Sequence, residues 1–373
     1  MKSSFRVRLL ALAGGFAAIL YAASPKPLWP GSKYTTADRD RAVERGVQVI
    51  YKIASNPDDF KEWGHDLLWC FYSISSTAKN PKLREMTRAM GHELALQWRR
   101  NNPEPPVDDA DELSDYVFGS DAANRLGVPD GPAIHERIRQ AAARFSAADF
   151  LGFDPAREPP PSDVPNECPK CKEQNPRGTS KCQKCNTALT FKSRYETWLD
   201  ALIASYTGDV YGVNLGASYD DVLRWIKVMR PYASRERAGA QEAEHITYAI
   251  THVIYTLNDY GKYRLRRSWL PQEFQFLVAN LTEMARINDP ETLGEFMDTL
   301  RAFGMSEKDP LIRVGVEYQL SHQNADGSWG DGDPTDAYKR YHSTWTAVDG
   351  LREYGFRGER LRRPELMKLI KTD

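Results

Sequence analysis

One rhythm runs through this chain. Helix-length stretches carry apolar side chains every three or four positions, and short polar breaks rich in Pro, Gly, Asn and Asp separate them. From about Ala37, the residues Val43, Val47, Ile50 and Ala54 share one helical face. Ser55-Asn-Pro57 interrupts, and Phe60, Trp63, Leu67, Cys70, Phe71 and Ile74 form the next stripe. Asn80-Pro81 opens a third, with Met86, Met90 and Leu94 leading to Trp98. After a loop at 101–109 the pattern resumes at 112–126 and 134–145. It continues near 191–207, 218–230, 239–260, 271–287, 290–303, 309–323, 336–354 and 363–371. Strand alternation is nearly missing outside one cysteine-bearing segment. Such a chain predicts an all-α fold in which helix pairs bury their stripes against neighbouring pairs, as an arc or a ring. No fixed repeat length appears, which argues against a regular solenoid.

Composition shifts mark the boundaries. Lys2, Arg6 and Arg8 precede the uncharged apolar run Leu9–Ala23, so residues 1–24 read as an export signal, either cleaved or retained as an anchor. The globular part is then expected outside the cytoplasm, exported or held at a membrane. Residues 25–152 form an N-terminal helical half. The proline-rich stretch 153–166 (FDPAREPPPSDVPN) is a linker, 167–188 is a separate small unit, and 189–373 is a C-terminal helical half. The net charge of -1 carries no basic excess that would argue for nucleic acid.

The small unit holds the sharpest local motif. Cys168-Pro-Lys-Cys171 and Cys182-Gln-Lys-Cys185 present four thiolates at the spacing of two metal knuckles. Four soft ligands with no redox demand suit zinc, and Lys170, Lys172, Lys181 and Lys184 offset the charge of such a centre. Two disulfides are the alternative. The segment resembles a rubredoxin-like zinc ribbon. A closed four-thiolate site is structural, and its metal supplies the folding energy that about twenty residues cannot bury. The ribbon reads as an insertion suited to docking a protein partner.

A second resemblance lies between Arg313 and Phe356. Helix, turn and helix are predicted there, with Asp336 as the cap of the second helix and Gly355 as its end. The run Gln323-Asn-Ala-Asp-Gly327-Ser-Trp329-Gly330 resembles the Gln-Trp repeat of squalene–hopene cyclases and related terpene cyclases. His342-Ser-Thr-Trp345-Thr-Ala-Val-Asp349-Gly-Leu351 is similar to a segment of protein prenyltransferase β subunits. The resemblance implies an α/α toroid, with inner helices around a central cavity that takes a hydrophobic small molecule. In the prenyltransferase pattern the matching His is a zinc ligand, which falls here on His342. That family's Asp and Cys two residues apart have no counterpart, and neither the D-x-D-D of squalene–hopene cyclases nor a D-D-x-x-D occurs.

The histidines carry the site hypothesis. His252 and His342 share a frame: an aromatic at the third position after, Thr at the fourth and Asp at the seventh (Asp259 and Asp349). Those offsets put His, aromatic and Asp on one helical face. His245 stands seven residues before His252 on the same stripe, while His65 and His92 precede Trp69 and Trp98 in a looser version. Catalytic roles fall on His252, His342, His245 and Asp259. Imidazoles on separate helices also suit a second metal, which allows His65, His92, His245, His252 and His342 as its ligands. The plain alternative is a core histidine beside an aromatic. Two functions follow from this: an exported, terpene cyclase- or prenyltransferase-like enzyme, acid–base or metal-assisted, or a binding or scaffold protein. An enzyme predicts clustered polar groups with shifted pKa values in the cavity, whereas a binder predicts aliphatic and aromatic walls.

Overall fold

The computed structural model describes residues 34–161, 166–176, 179, 181–189, 193–331 and 335–371. The 1–24 segment lies outside them, as does part of the 153–166 linker. Helices α1 (Thr36–Ala54), α2 (Pro57–Thr77), α3 (Pro81–Asn101), α4 (Ala110–Arg125), α5 (Pro132–Ala142) and α6 (Ala147–Leu151) precede the ribbon. Strands β1 (Asn166–Glu167) and β2 (Gln174–Asn175) pair antiparallel inside it. Then come α7 (Arg194–Tyr211), α8 (Tyr219–Leu223), α9 (Ile226–Met229), α10 (Arg235–Ala238), α11 (Ala240–Leu257), α12 (Pro271–Arg286), α13 (Pro290–Ala302), α14 (Pro310–Ser321), α15 (Ala337–Leu351) and α16 (Met367–Ile370). Among the described residues no helix is long and apolar enough to cross a membrane.

The starts of these helices are written in the sequence. Thr35 and Asp38 form a capping box on α1, Asn56 and Asn80 cap α2 and α3 ahead of a proline, and Asp109 caps α4. Asp336 caps α15 as predicted. Two boundaries in the C-terminal half differ from expectation here, and a third, at the end of α11, bears on the site below. The 218–230 pattern divides into α8 and α9. Helix α15 stops at Leu351, because the following backbone turns to the end of α2: Tyr354 bridges Ala78, and the Gly355 amide donates to the Thr77 carbonyl at 2.7 Å.

Packing between the helices closes a ring. α2 packs on α4, α4 on α7, α7 on α11, α11 on α13, α13 on α15, and α15 back on α2. The other layer lies outside, with α3 against α2 and α4, α12 against α13, α14 against α13 and α15, and α1 against α15 and α2. The fold is an all-α toroid. The inner helices run parallel, since their C-terminal ends gather at one end of the ring. There Arg362 donates to the Leu257 carbonyl, Leu265 donates to that of Ala302, and Arg125 reaches the Tyr72 hydroxyl.

Glycines let the inner backbones touch. A Cβ on Gly294 of α13 would sit 2.3 Å from the Thr346 carbonyl oxygen, and one on Gly350 of α15 would lie 2.9 Å from the Gly294 oxygen. The Gln-Trp run fastens the end of α14 to α1 in the outer layer. The Gln323 side-chain amide donates to the carbonyls of Ala42 on α1 and Gly327, at 2.9 and 3.0 Å. Arg45 of α1 donates to Gln323 and to the Ala325 carbonyl. Gly327, at φ 100°, turns tightly over Arg45, and the buried Trp329 indole donates to the Gln319 carbonyl at 2.7 Å.

Candidate functional site: the cavity of the toroid

A cavity of about 190 Å³ lies inside the ring, lined by side chains of α2, α4, α7, α11, α13 and α15. Trp63 and Tyr338 meet across its upper rim, ring centroids 4.8 Å apart, near the N-terminal ends of their helices. Tyr255, Tyr260, Tyr354, Asp298, Asp349 and Arg352 form its floor at the C-terminal end. From Tyr338 to Asp349 is eleven residues of α15, a depth of roughly 16 Å at the helical rise.

The structure brings His65, His252 and His342 to this cavity, together with Asp349. It leaves three other sequence candidates out. His92, on outer helix α3, sets Nδ1 3.0 Å from the Leu126 carbonyl. His245 is buried where α11 meets the start of α7, with Nδ1 3.0 Å from the Ser193 hydroxyl. Asp259 breaks its expected frame because α11 ends at Leu257 and Asp259 takes φ 57°. Its carboxylate turns away to accept from Tyr206 at 2.6 Å and Lys262 at 3.0 Å.

The carboxyls of α13 were missed in the sequence. Glu291, Glu295 and Asp298 stand at i, i+4 and i+7, the same spacing that marked the histidine helices. Glu295 and Asp298 line the cavity, and Glu291 anchors His342 from behind: His342 Nδ1 lies 3.0 Å from its Oε1. Tyr248 and Ser343 also donate to Glu291, at 2.6 and 2.7 Å. Asp66 and Asp115 complete the acidic lining from α2 and α4.

Burial and charge push these groups in different directions. Burial alone would strip the proton from His342, but Glu291, then Asp66 and Glu295, overcome it and push its pKa up to about 9. Burial likewise opposes ionisation of Glu291, yet His342 and the hydrogen bonds hold it down at about 2. His252 sits on the other side of the scale, pushed down to about 4 by burial, and His65 falls to about 4 for the same reason. His252 Nδ1 lies 2.9 Å from the Tyr248 carbonyl. A carbonyl only accepts, so Nδ1 carries the hydrogen and Nε2 keeps a lone pair. Burial raises Glu295 to about 8, against the pull of His342 and a 2.6 Å hydrogen bond from Thr251. Burial, then the neighbouring Asp349 charge, raises Asp298 to about 7, against Arg352. Asp349 itself pairs with Arg352.

The ribbon is a separate centre. The Sγ atoms of Cys168, Cys171, Cys182 and Cys185 all lie within 4.8 Å of one another. The closest pairs stand at 3.4 and 3.5 Å, near the ~3.8 Å edge of a tetrahedron with 2.3 Å bonds. These are free thiols, not two disulfides. Each knuckle repeats the same turn. Lys172 and Asn186 donate to the carbonyls of Cys168 and Cys182 at 2.9 Å, and both adopt positive φ, at 60° and 57°. Cys168, Cys182 and Leu189 form a buried cluster apart from the helical core, with the half-buried Cys171 and Cys185 packed against it. The donor set fits zinc. Among the described residues it is the one set of three or more His, Cys, Asp or Glu gathered within 4.8 Å; His65, His252 and His342 are not gathered this closely.

No family model and no curated protein matches the chain. Among solved structures it is similar to the apo form of the type II terpene cyclase MstE from Scytonema, with a TM-score of 0.44 and 9% identity, over 90% of this chain and 100% of that one.

Proposed function

We propose that this toroid is an acid–base enzyme, with His342 as proton donor, His252 as proton acceptor and the Asp298–Asp349 pair as a second, deeper acid. One observation carries this reading: two imidazoles line one cavity with proton affinities driven to opposite sides of neutrality. Such divergence marks the acid and the base of a catalytic pair. A simple binder has no use for it, and the polar lining favours an enzyme over the scaffold alternative. The acids also limit the chemistry. A carboxyl or imidazolium that titrates between about 7 and 9 is a weak acid, suited to a heteroatom leaving group or a carbonyl and poorly suited to an isolated alkene. The substrate is a molecule with an apolar body and a polar reacting end, its body lying on Trp63, Tyr338 and Trp345. The basic, then apolar, opening of the chain supports export or membrane anchoring, and the zinc-filled ribbon supplies a face for a protein partner.

The test is direct titration of both imidazoles by NMR. His342 is expected to stay charged to about pH 9, and His252 to stay neutral down to about pH 4. Two ordinary titrations near 6.5 would remove the acid–base pair.

A further inference from the structure

The end of the ring where the inner helices finish carries a charged face that the cavity does not use. Two segments run side by side there, 262–267 beyond α11 and 357–360 beyond α15. Arg264 and Glu359 form a parallel bridge. The Arg357 amide donates to the Lys262 carbonyl at 2.8 Å, the Arg264 amide to that of Gly358 at 2.8 Å, and the Arg360 amide to that of Arg264 at 3.1 Å. Side chains alternate along backbone paired in this way. Tyr263 and Leu265 are buried, while Arg264 and Arg266 face solvent. Arg267, Arg357 and Arg360 are exposed beside them. With Lys262 the two segments hold six cations against one acid, Glu359, in a chain whose net charge is -1. Glu359 pairs with Arg266 at 2.6 Å, and Lys262 pairs with Asp259 at 3.0 Å. Among the described residues no carboxylate pairs with Arg264, Arg267, Arg357 or Arg360. The neighbouring acids are engaged elsewhere, Glu307 by Arg39 and Glu353 by Lys79 at 3.0 Å.

Two further features point to a bilayer. Aromatic rings support the cations: Arg264 lies over Phe356, Arg266 over Trp269 and Arg360 over Tyr263, with guanidinium carbons 5.3, 5.3 and 4.1 Å from the ring centroids. Phe356 and Trp269 are half-buried, so apolar ring and cation reach the surface together, as at the headgroup layer of a membrane. The start of the chain lies at the same end. Tyr34, where the described residues begin, donates to Glu307 just beyond α13 at 3.1 Å. Ahead of it stand the apolar run Leu9–Ala23 and then residues 24–33. Ten residues reach at most about 35 Å. With the run held in a bilayer, that tether keeps this end of the ring within reach of the lipid, while the length of α2 sets the opposite end about 30 Å away.

We propose that this face docks on an anionic lipid surface, with the arginines of 264–267 and 357–360 among the headgroups and the cavity mouth at Trp63 and Tyr338 turned away from the bilayer. The docking face goes beyond the acid–base chemistry and is independent of it. A guanidinium engages a headgroup phosphate through two parallel N–H donors. Each cation brought to such a surface strengthens binding roughly fivefold. Substrate then enters the ring from water rather than from the lipid beneath.

Hydrogen exchange of the full chain on vesicles tests this, with phosphatidylcholine alone or in equal mixture with phosphatidylglycerol. Exchange is read segment by segment, so attachment through the N-terminal run does not mask the result. Segments 262–269 and 355–362 are expected to exchange at least about threefold more slowly on the anionic vesicles than on the neutral ones, and the difference should vanish in about 1 M salt. Arg264→Gln with Arg357→Gln breaks no ion pair and should lose that protection. Lys61→Gln, exposed on α2 near the mouth, should keep it. Circular dichroism checks folding, and Arg267→Gln takes the place of the double variant should that fail to fold. Equal protection on neutral vesicles, no protection on either, or protection of 57–66 and 336–342 instead would each overturn the proposal. So would equal protection by inorganic phosphate, or stronger protection by single-stranded RNA, in the absence of lipid.

Discussion

Replacing Glu291 with Gln removes one charge, keeps the shape, and reads out the electrostatics of the cavity through stability. In the folded chain His342 is raised to about 9 and Glu291 lowered to about 2, from 6.5 and 4.5. Each gap corresponds to roughly 3 kcal/mol, and because both describe one pair the energy counts once. The signs fix the pH window. A histidine with a raised folded pKa contributes fully below 6.5, and its contribution fades as pH climbs through 9. A carboxylate with a lowered pKa contributes fully above 4.5, and its contribution fades as pH drops through 2. Wild type should therefore exceed Glu291→Gln by about 3 kcal/mol between pH 4.5 and 6.5, and the difference should shrink by most of that amount at pH 9.5. Denaturant unfolding followed by tryptophan fluorescence at pH 5.5 and 9.5 measures it. Tyr248 and Ser343 donate to different oxygens of Glu291, so Gln keeps an acceptor for one of them and turns its NH2 toward the other, which adds a remainder independent of pH. An equal loss at both pH values would refute the reasoning, since it would assign the effect to packing alone.

Two further outcomes follow from the packing. Gly294→Ala forces a Cβ onto the Thr346 carbonyl, so the α13–α15 contact must open; a loss of about 1–3 kcal/mol or more is expected in denaturant unfolding, along with a lowered His342 pKa by NMR as Glu291 shifts. Cys168→Ser with Cys171→Ser should abolish a single bound zinc in elemental analysis yet leave far-ultraviolet circular dichroism nearly unchanged, because the ribbon's buried cluster is separate from the helical core.

The helices were legible because their apolar stripes and caps are local: Val43–Val47–Ile50 and Asn56-Pro57 say helix without reference to anything distant. The Gln-Trp run was legible as a toroid signal, and the structure shows why the fold uses it, since Gln323 and Trp329 tie the last helical turn to the first helix. The cavity was legible only in part. His252 and His342 share a frame in the sequence, yet whether the frame survives depends on where each helix stops, and α11 stops two residues short of Asp259. Glu291 looks like any first-turn acid at a helix start. Its role depends on α15 lying close enough to offer His342, which Gly294 and Gly350 permit through contacts no local pattern records.

The clasp between Gln323 and α1 also sets a clock on synthesis. Ala42 and Gln323 are 281 residues apart. At about 5–20 residues per second, roughly 14 to 56 s pass between the emergence of one and the other from the ribosome. Throughout that interval the stripe of Val43, Val47 and Ile50 has no α15 to cover it, although all three are buried in the finished ring. Helix α1 gains its α15 cover only after that helix has been made. A nascent chain of this protein therefore carries that apolar stripe uncovered by α15 for the whole of the interval.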